Sequence, residues 1–393
     1  MDHSHQTAGQ PVSAAARLSD AAPLPRPALA LVNARFALAE PGEPAPQPWR
    51  DGLDALLGWL GIEAAIVPAA AARSRGLARM AEWALPPAAP APVFAPWLGW
   101  SPAAFQHGGL AALPRAQFVA SYLLDHARGQ ASGQAGLDLM LLSPHPATCA
   151  AEAAGDVPTP RAAVMAAMLR AVRAEGRERI AVIAGSRQRN TLARQMLAAG
   201  KAALGENTAF DLLTIEEALP QLVAGAGRWD AVIVMPDWRS TVFTLLHEAS
   251  GLRSGWPMLW FDGAGGLTAV TSEVPGEGLS RRPLDAPALI HALTLTLHHR
   301  GAGRAAARLH DGWARLRDSG VTTPARGGDA PYARVVDDAA FLDLLVQDAA
   351  VSKRPQTPWR AIKNAEIAKS GSQMPSLRIV ASNSALLSNT KGR

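Results

Sequence analysis

The sequence has few cysteines and no long apolar run, and each shortage excludes a class of protein. One cysteine in 393 residues rules out a disulfide within the chain and a zinc cluster built from cysteines. No uninterrupted apolar run reaches the roughly 18 residues that a transmembrane helix needs. The first residues, Met-Asp-His-Ser-His, lack the basic start and apolar core of a secretory signal. We therefore expect a cytoplasmic protein with no membrane partner.

The composition is that of a globular protein. Hydrophobic residues make up 48% of the chain and charged residues 18%, and the length is enough for one large or two medium domains. The net charge is only +5, although the pI is about 9.8. Much of the basic excess follows Val351, where one acid, Glu366, faces eight bases: Lys353, Arg354, Arg360, Lys363, Lys369, Arg378, Lys391 and Arg393. Because the body has no basic stripe, we expect no nucleic-acid binding.

Three regions follow from the changes in composition. Residues 1–27 are rich in Ser, Ala and Pro without periodicity, which predicts a disordered leader. Its His3 and His5 are too few to predict a metal site. Residues 28–350 are predicted to form the folded domain, and residues 351–393 a basic polar tail without regular structure. Within the domain, six prolines between positions 85 and 102 favour a loop.

Strand and helix patterns alternate through the second half of the chain, which predicts an α/β domain with a sheet covered by helices on both faces. The predicted strands are 28–32, 64–67, 137–142, 180–184, 210–213, 231–235 and 258–261. The predicted helices are 51–60, 161–175, 191–203, 215–224, 241–250, 286–299 and 304–317. Thr159 and Pro160 resemble a helix start, an N-cap hydroxyl followed by proline.

Four segments in this order resemble the isocitrate/isopropylmalate dehydrogenase family. They are Thr159-Pro-Arg161, the strand Ile180–Ala184, the segment Trp229–Pro236 and the closing Val321-Thr-Thr-Pro324. The resemblance is clearest over residues 136–328. It implies a mixed sheet flanked by helices, two subdomains around a central cleft, and a dimer whose two sites are shared between subunits.

Enzymes of this family hold a divalent metal with carboxylates, and oxygen ligands suit Mg²⁺ or Mn²⁺. The two aspartates of the family's metal helix align with Thr241 and Leu245 in this chain. A third aspartate, supplied by the partner subunit, aligns with Glu216. Glu248 lies one turn beyond Leu245. Since leucine cannot bind a metal and one glutamate is not enough, the resemblance implies that the metal site is lost.

The other family positions are also replaced. The proton-transfer lysine aligns with Gly185 or Ser186, next to Arg187, which is a poor proton shuttle because its pKa is too high. Ser143–Thr148, with His145, stands in place of an Arg-Glu-Asn loop, and Val32–Arg35 in place of the first glycine-rich turn. Val270–Gly276, with Glu273, stands in place of the His-Gly nucleotide loop. In Pro114–Asp125, which aligns with an arginine-bearing helix, Arg115 matches the first arginine and Asp125 replaces the later one. A glutamate at the nucleotide loop would repel a pyrophosphate.

These replacements predict a catalytically inactive member of the family with a structural or regulatory role. No catalytic, cofactor-binding or metal-binding residue is then expected, and the partners are a second copy or an active paralogue. One alternative is an active NAD- or NADP-dependent oxidoreductase, using Mg²⁺, that acts on a 2-hydroxy acid through His145, Glu216 and Glu248. Another is a small-molecule binder whose cleft is walled by Trp97, Trp100 and Trp238.

Two predicted helices correspond to family elements that pack against a second subunit. Their apolar faces comprise Ile215, Ala218, Leu219 and Leu222 on one helix and Val242, Leu245, Leu246 and Ala249 on the other. A face with this spacing is equally typical of a helix that packs on its own core. The sequence therefore leaves both the dimer surface and the internal core open for these eight residues.

Overall fold

The computed structural model describes residues 28–31, 47–62, 65–68, 92–100, 116–125, 137–204, 207–276, 279–280, 285–326, 333–347 and 376–380. Within these ranges it contains a large mixed sheet with helices on both faces, which confirms the predicted α/β class. Every helix in the described ranges is too short or too polar to span a lipid bilayer.

Sixteen strands lie within the described residues. Their bounds are β1 Ala28–Leu31, β2 Ala65–Pro68, β3 Val93–Trp100, β4 Phe118–Asp125, β5 Leu137–Pro144, β6 Cys149–Ala150, β7 Thr159–Pro160, β8 Ile180–Ala184, β9 Asn207–Thr214, β10 Ala231–Val234, β11 Trp256–Phe261, β12 Leu267–Glu273, β13 Leu279–Ser280, β14 Val321–Thr322, β15 Arg334–Val335 and β16 Ser376–Val380. The main sheet has the order β16-β9-β8-β10-β5-β4-β11-β12-β3-β1-β2, with β13 paired to β3.

The sheet is parallel at its two ends and antiparallel in its centre. Strands β16, β9, β8, β10 and β5 run parallel, and β5, β4, β11 and β12 alternate in direction. The parallel strands β8 and β10 are continuous apolar runs, Ile-Ala-Val-Ile-Ala and Ala-Val-Ile-Val, and every residue in them is buried. Such runs are typical of strands covered on both faces, because neither face then meets water.

Helices cover both faces of this sheet. The helices are α1 Gln47–Leu60, α2 Ala162–Ala174, α3 Arg189–Leu204, α4 Ile215–Gly225, α5 Pro236–Ser250, α6 Ala286–His299, α7 Gly303–Asp318 and α8 Asp338–Val346. One core forms between a sheet face and α1, α2, α3, α6, α7 and α8. The other core lies on the opposite face beneath α4 and α5. Helix α6 is buried along its whole length from Ala286 to Leu297 because α7 and α8 pack outside it.

Most predicted elements of the second half match the structure, and strand β8 and helix α6 match residue for residue. The helix expected at Thr159 begins instead at Ala162. Thr159 and Pro160 pair with Cys149 and Ala150, and the Thr159 hydroxyl accepts a hydrogen bond from Gln195 Nε2 at 3.0 Å. Helix α5 begins at Pro236, five residues before the predicted start.

Two segments of the first half were predicted wrongly. Residues 93–100, expected as a loop, form strand β3, and Pro96 lies where the register between β12 and β3 shifts. A proline is tolerated at such an irregularity, since no ladder hydrogen bond is required of it there. Residues 118–125, aligned with a family helix that carries arginines, form strand β4 in the centre of the sheet.

The predicted leader, residues 1–27, lies outside the described residues. So does most of the predicted tail. Five residues of it, Ser376–Val380, form the edge strand β16 beside β9, although the sequence predicts no regular structure there.

Candidate functional site

Several chain segments meet at the edge of the sheet where the parallel strands β5, β8, β9 and β10 end. Strand β4 begins and β11 ends at this edge as well, because each runs antiparallel to its neighbour. Gln117, just before β4, donates its backbone N–H to the Phe261 carbonyl at 2.7 Å. A Cβ on Gly263 would lie 2.6 Å from the end of the Gln117 side chain, so any larger residue there would require that side chain to move. Ligands of open α/β sheets bind at this kind of edge, which makes it the candidate site.

His145 follows β5 at this edge and is held in the turn, not exposed in a loop. Only 5% of its surface is exposed. Its backbone N–H donates to the Gln117 carbonyl at 2.8 Å, and its Nδ1 accepts from the Ala147 N–H at 3.1 Å. The neutral ring that accepts at Nδ1 carries its proton on Nε2. His145 is therefore buried although it lies between two prolines, and its ring serves as the cap of the turn Pro146–Thr148.

Cys149 connects this turn to the start of α5. Its thiol lies 3.8 Å from the His145 carbonyl oxygen, to which it donates. Burial, together with the negative charge of Asp237 in the first turn of α5, raises the pKa of the Cys149 thiol to about 12. The segments after β5 and β10 are therefore close in space. A thiol with so high a pKa is unreactive near neutral pH, since the thiolate is the nucleophile.

The segment after β8 packs against the same helix start. The Gly185 N–H donates to Gln188 Oε1 at 3.0 Å, and Gln188 Nε2 donates to the Pro158 carbonyl at 2.9 Å. A Cβ on Gly185 would lie 3.4 Å from the indole nitrogen of Trp238, the half-buried residue predicted as a cleft wall. Gly185 thus occupies a packed position, while Ser186 next to it is exposed. Neither position that aligns with the family's lysine offers a group for proton transfer.

Helix α5 places the two positions that align with the family's metal aspartates on its outer side. Thr241 is exposed, and Leu245 is half-buried at the margin of the second core. A hydroxyl and an alkyl group do not make the carboxylate set that Mg²⁺ needs, so these residues do not fit the metal. Among the residues that the structure describes, no three His, Cys, Asp or Glu side chains are grouped in a way that would hold a metal ion.

The residues of the predicted active alternative do not converge. Glu216 is exposed in the first turn of α4, at the same sheet edge as His145. Glu248 is exposed near the end of α5, twelve residues after Pro236, which is about 18 Å along the helix axis. Since α5 begins at the candidate edge, its far end leads away from it. The structure therefore brings Glu216 and His145 to one edge and keeps Glu248 apart from both.

Glu273 is an internal residue, which corrects its interpretation as part of a nucleotide loop. It ends strand β12, and its carboxylate is fully buried against the guanidinium of Arg239 from α5. Arg239 Nη2 also donates to the Ser121 hydroxyl of β4 at 2.9 Å, and that hydroxyl donates to Glu273. Residues Val270–Gly276 are mostly strand, so this carboxylate does not face a cofactor surface.

A second buried ionic group lies on the opposite face of the sheet. Glu175 accepts hydrogen bonds from the Tyr122 hydroxyl and from Arg177 Nε at 3.1 Å, and His299 Nε2 lies 3.3 Å away. Burial alone would raise the pKa of Glu175, but His299, Arg177 and Tyr122 together lower it to about 2. Burial and the Glu175 charge raise the pKa of Tyr122 well above its usual range. Arg177 also pairs with Asp138 at 3.0 Å.

Sequence patterns predict neither buried ionic group. Glu175 and Arg177 are two residues apart after α2, but Tyr122 lies 53 residues before Glu175, and Arg239 and Glu273 are 34 residues apart. No local spacing marks the partners that lie far apart in the sequence. One local signal is an acid at the end of a buried strand, as with Glu273 after Ala-Val-Thr-Ser.

Several residues of the sequence predictions lie outside the described part of the chain. They are His3, His5, Arg115 and the segment Val32–Arg35. Trp97, Trp100 and Asp125 belong to described strands, but their side chains are not described. The predicted tryptophan cleft therefore stays a prediction.

Comparison with known proteins supports the fold and goes no further. No protein-family model matches the chain, and no curated protein matches it either. Among solved structures, the chain is similar to the TT0538 protein from Thermus thermophilus, with a TM-score of 0.53 and 12% identity. The similarity covers 86% of this chain and 72% of that one. At this identity, the likeness shows a shared α/β fold alone.

Proposed function

We propose that this chain is a catalytically inactive relative of the isocitrate/isopropylmalate dehydrogenases with a structural or regulatory role. In this proposal its sheet keeps the family's arrangement of two subdomains around a cleft. It acts by forming a dimer, either with a second copy or with an active paralogue. Helices α4 and α5 provide the surface for that dimer.

The dispersal of the ionisable groups supports the absence of catalysis. The carboxylate of Glu273 is paired with Arg239 in the interior, and the His145 ring caps a turn. Glu216 and Glu248, the acids that could replace the missing metal ligands, belong to different ends of the helix pair. General acid–base or metal catalysis needs such groups within hydrogen-bond reach of one reacting centre. The active NAD(P)-dependent alternative is therefore the less well supported of the two.

Most of the apolar residues on the two helices that predict a dimer surface are buried in the protein's own core. Ile215, Ala218 and Leu222 of α4 and Val242 and Leu246 of α5 are buried beneath their own helices, so they face the sheet. The dimer proposal accordingly draws no support from these five residues. It depends on what the two helices present to the outside.

The observation that carries the dimer proposal is the exposure of Val223 on the outer side of α4. Its exposed fraction is 68%, the highest of any large hydrophobic residue in the described part of the chain. Leu219 of α4 and Leu245 of α5 are half-buried at the margin of the second core. Since α4 packs beside α5, these residues give the helix pair an apolar outer region that a second subunit could cover.

The exposed stripe of α5 adds an uncharged stretch to this region. Between Asp237 near its start and Glu248 near its end, the exposed residues are Thr241 and Thr244. Charged residues are depleted in the centre of protein interfaces, and polar residues are common at the rim. The helix pair follows this distribution, with its acids at the two ends.

Light scattering on variants of the exposed apolar residues tests the proposal. Val223→Asp puts a charge in the centre of the proposed interface and should convert a dimer to a monomer. Val335→Asp makes the same change on β15, which pairs with β14 outside the main sheet and where Val335 is 48% exposed. This control should leave the mass unchanged. If the two variants and the parent chain have equal masses, the α4–α5 surface is not the dimer interface.

A further inference from the structure

The edge strand β16 comes from a distant part of the chain and completes the parallel end of the sheet. It runs parallel to β9, with Ser376 opposite Asn207, Arg378 opposite Ala209 and Val380 opposite Asp211. Helix α3 packs against both β9 and β16. The segment Ser376–Val380 therefore occupies a groove formed by the edge of β9 and by α3.

Without β16, strand β9 would be the outer strand of this end of the sheet. It is eight residues long, and its outer edge would present unpaired N–H and C=O groups. Such an edge binds any extended segment of matching shape, because main-chain hydrogen bonds supply the affinity. The edge of β9 is thus a strand-binding site, and this chain supplies a segment that fits it.

The connection before β16 is long enough for the segment to reach the β9 edge of its own molecule or of a second copy. Residues 348–375, which number 28, separate α8 and its C-cap Gln347 from β16. Helix α8 packs on α1, α6 and α7, and α6 packs on β11. In the sheet order, β11 and β16 are six strands apart, which corresponds to a distance of about 29 Å across the sheet. A 28-residue connection spans up to about 90 Å when extended.

We propose that in the dimer the β9 edge of one copy receives the Ser376–Val380 strand of the other, in a reciprocal exchange. The inference rests on the self-association proposed above. Strand β9 is followed directly by α4 at Ile215, so the strand that receives β16 and the helix that carries Val223 are consecutive elements. The β16 segment of a second copy bound at α4 could therefore reach the β9 edge of the first copy. Because the two chains are identical, this segment has the sequence that fits the groove.

Disulfide trapping between strand partners tests the exchange. In a Cys149→Ser background the chain has no other cysteine, so Arg378→Cys and Ala209→Cys can be placed in separate chains. Adjacent strands lie about 4.8 Å apart, within the Cα separation that a disulfide accepts. After mixing and mild oxidation, we expect a covalent heterodimer on a non-reducing gel. Its disulfide-linked peptides, identified by mass spectrometry, should join positions 209 and 378.

A matched control separates specific pairing from random oxidation. Arg334→Cys replaces an exposed arginine on β15, a short strand that pairs with β14 and not with β9. Mixed with the Ala209→Cys chain, it should yield no heterodimer above background. An equal yield from the control mixture would overturn the exchange.

The chain that carries both substitutions distinguishes exchange from pairing within one molecule. If that chain links only internally while the mixture of single variants gives no heterodimer, the exchange is wrong. Light scattering that still reports a dimer would then leave the α4–α5 proposal standing. A monomer in light scattering, with no heterodimer after oxidation, would overturn both the dimer and the exchange.

Discussion

Arg239 and Glu273 form a bidentate ion pair in the interior of the protein. Arg239 Nε lies 2.9 Å from Oε1 of Glu273, and Nη2 lies 2.7 Å from Oε2. Both side chains are 0% exposed. The pair joins helix α5 to strand β12, and the Ser121 hydroxyl extends it to β4. The buried ion pair therefore connects α5 to two strands of the sheet.

Removing one partner of this pair should destabilise the fold strongly. Arg239→Met leaves the Glu273 carboxylate buried without its counter-charge, and such a change typically costs about 3–5 kcal/mol. Combining it with Glu273→Leu removes both charges, so the double variant should be more stable than the single one. Urea unfolding of the parent chain and both variants measures the difference. A double variant less stable than the single one would show that the charge pair is not what holds α5.

Stability should fall in mild acid because His291 is buried in a neutral state. Burial, followed by the nearby His310, lowers the pKa of His291 to about 3 from a usual value of 6.5. Below pH 6.5 the unfolded chain therefore binds a proton that the folded chain does not, and folding stability decreases until the pH reaches about 3. Between pH 7.5 and pH 5.0 this one residue should account for a loss of about 2 kcal/mol.

His291→Phe measures that loss. The ring lies between Tyr122, at a centroid distance of 6.1 Å, and Trp313, at 6.3 Å, so phenylalanine preserves the aromatic contacts. The unfolding free energy of the variant should change less between pH 7.5 and pH 5.0 than that of the parent chain. His310, Arg326, Asp138 and Arg177 also face this histidine, and all of them remain in the variant. An identical pH dependence in the two proteins would contradict the assignment.

The single cysteine should react slowly with thiol reagents. A rise in pKa from 9.0 to about 12 lowers the thiolate fraction near pH 8 by about a thousandfold. Alkylation by iodoacetamide should therefore be much slower in the folded chain than in urea. Asp237→Asn should speed the reaction in the folded chain because it removes the nearby negative charge, whereas Glu216→Gln should not. Fast labelling of the parent chain would mean that Cys149 is not held as described.

Neither nucleotides nor magnesium should bind to this chain. Thr241 and Leu245 do not supply metal ligands, and Val270–Gly276 lacks the family's His-Gly. NAD or NADP at millimolar concentration should therefore leave the melting temperature unchanged, because a bound ligand stabilises by RT ln(1 + [L]/Kd). Calorimetric titration with Mg²⁺ should likewise show no heat of binding. A micromolar metal site that disappears in Glu216→Ala and Glu248→Ala would instead favour the active oxidoreductase.

The sequence predicts those elements whose pattern is local. Ile180–Ala184 is a continuous apolar run, and Ala286–His299 is a long stretch rich in Ala and Leu, so both are predicted to the residue. Strand β4 is not predicted because its segment aligns with a helix of the family, although the sequence Phe-Val-Ala-Ser-Tyr is typical of a strand. Strand β3 escapes it because prolines usually end strands, and only the register shift opposite Pro96 accommodates one there.

The internal role of charged residues cannot be predicted in the same way. Whether Glu273 faces a cofactor or a guanidinium depends on where α5 lies on the sheet, which no spacing within Val270–Gly276 encodes. The same holds for Glu175, whose partners Tyr122 and His299 are 53 and 124 residues away. Charges paired over such distances become visible only when the fold is known.

The molecular mass of the purified chain in solution tests the central claim most directly. If the chain acts as a non-catalytic dimer, light scattering should report twice the 41.1 kDa of one chain. If it instead associates with an active paralogue, it should be a monomer that forms a one-to-one complex when the organism's active dehydrogenase is added. A monomer of 41.1 kDa that stays monomeric in the presence of that dehydrogenase would contradict the account.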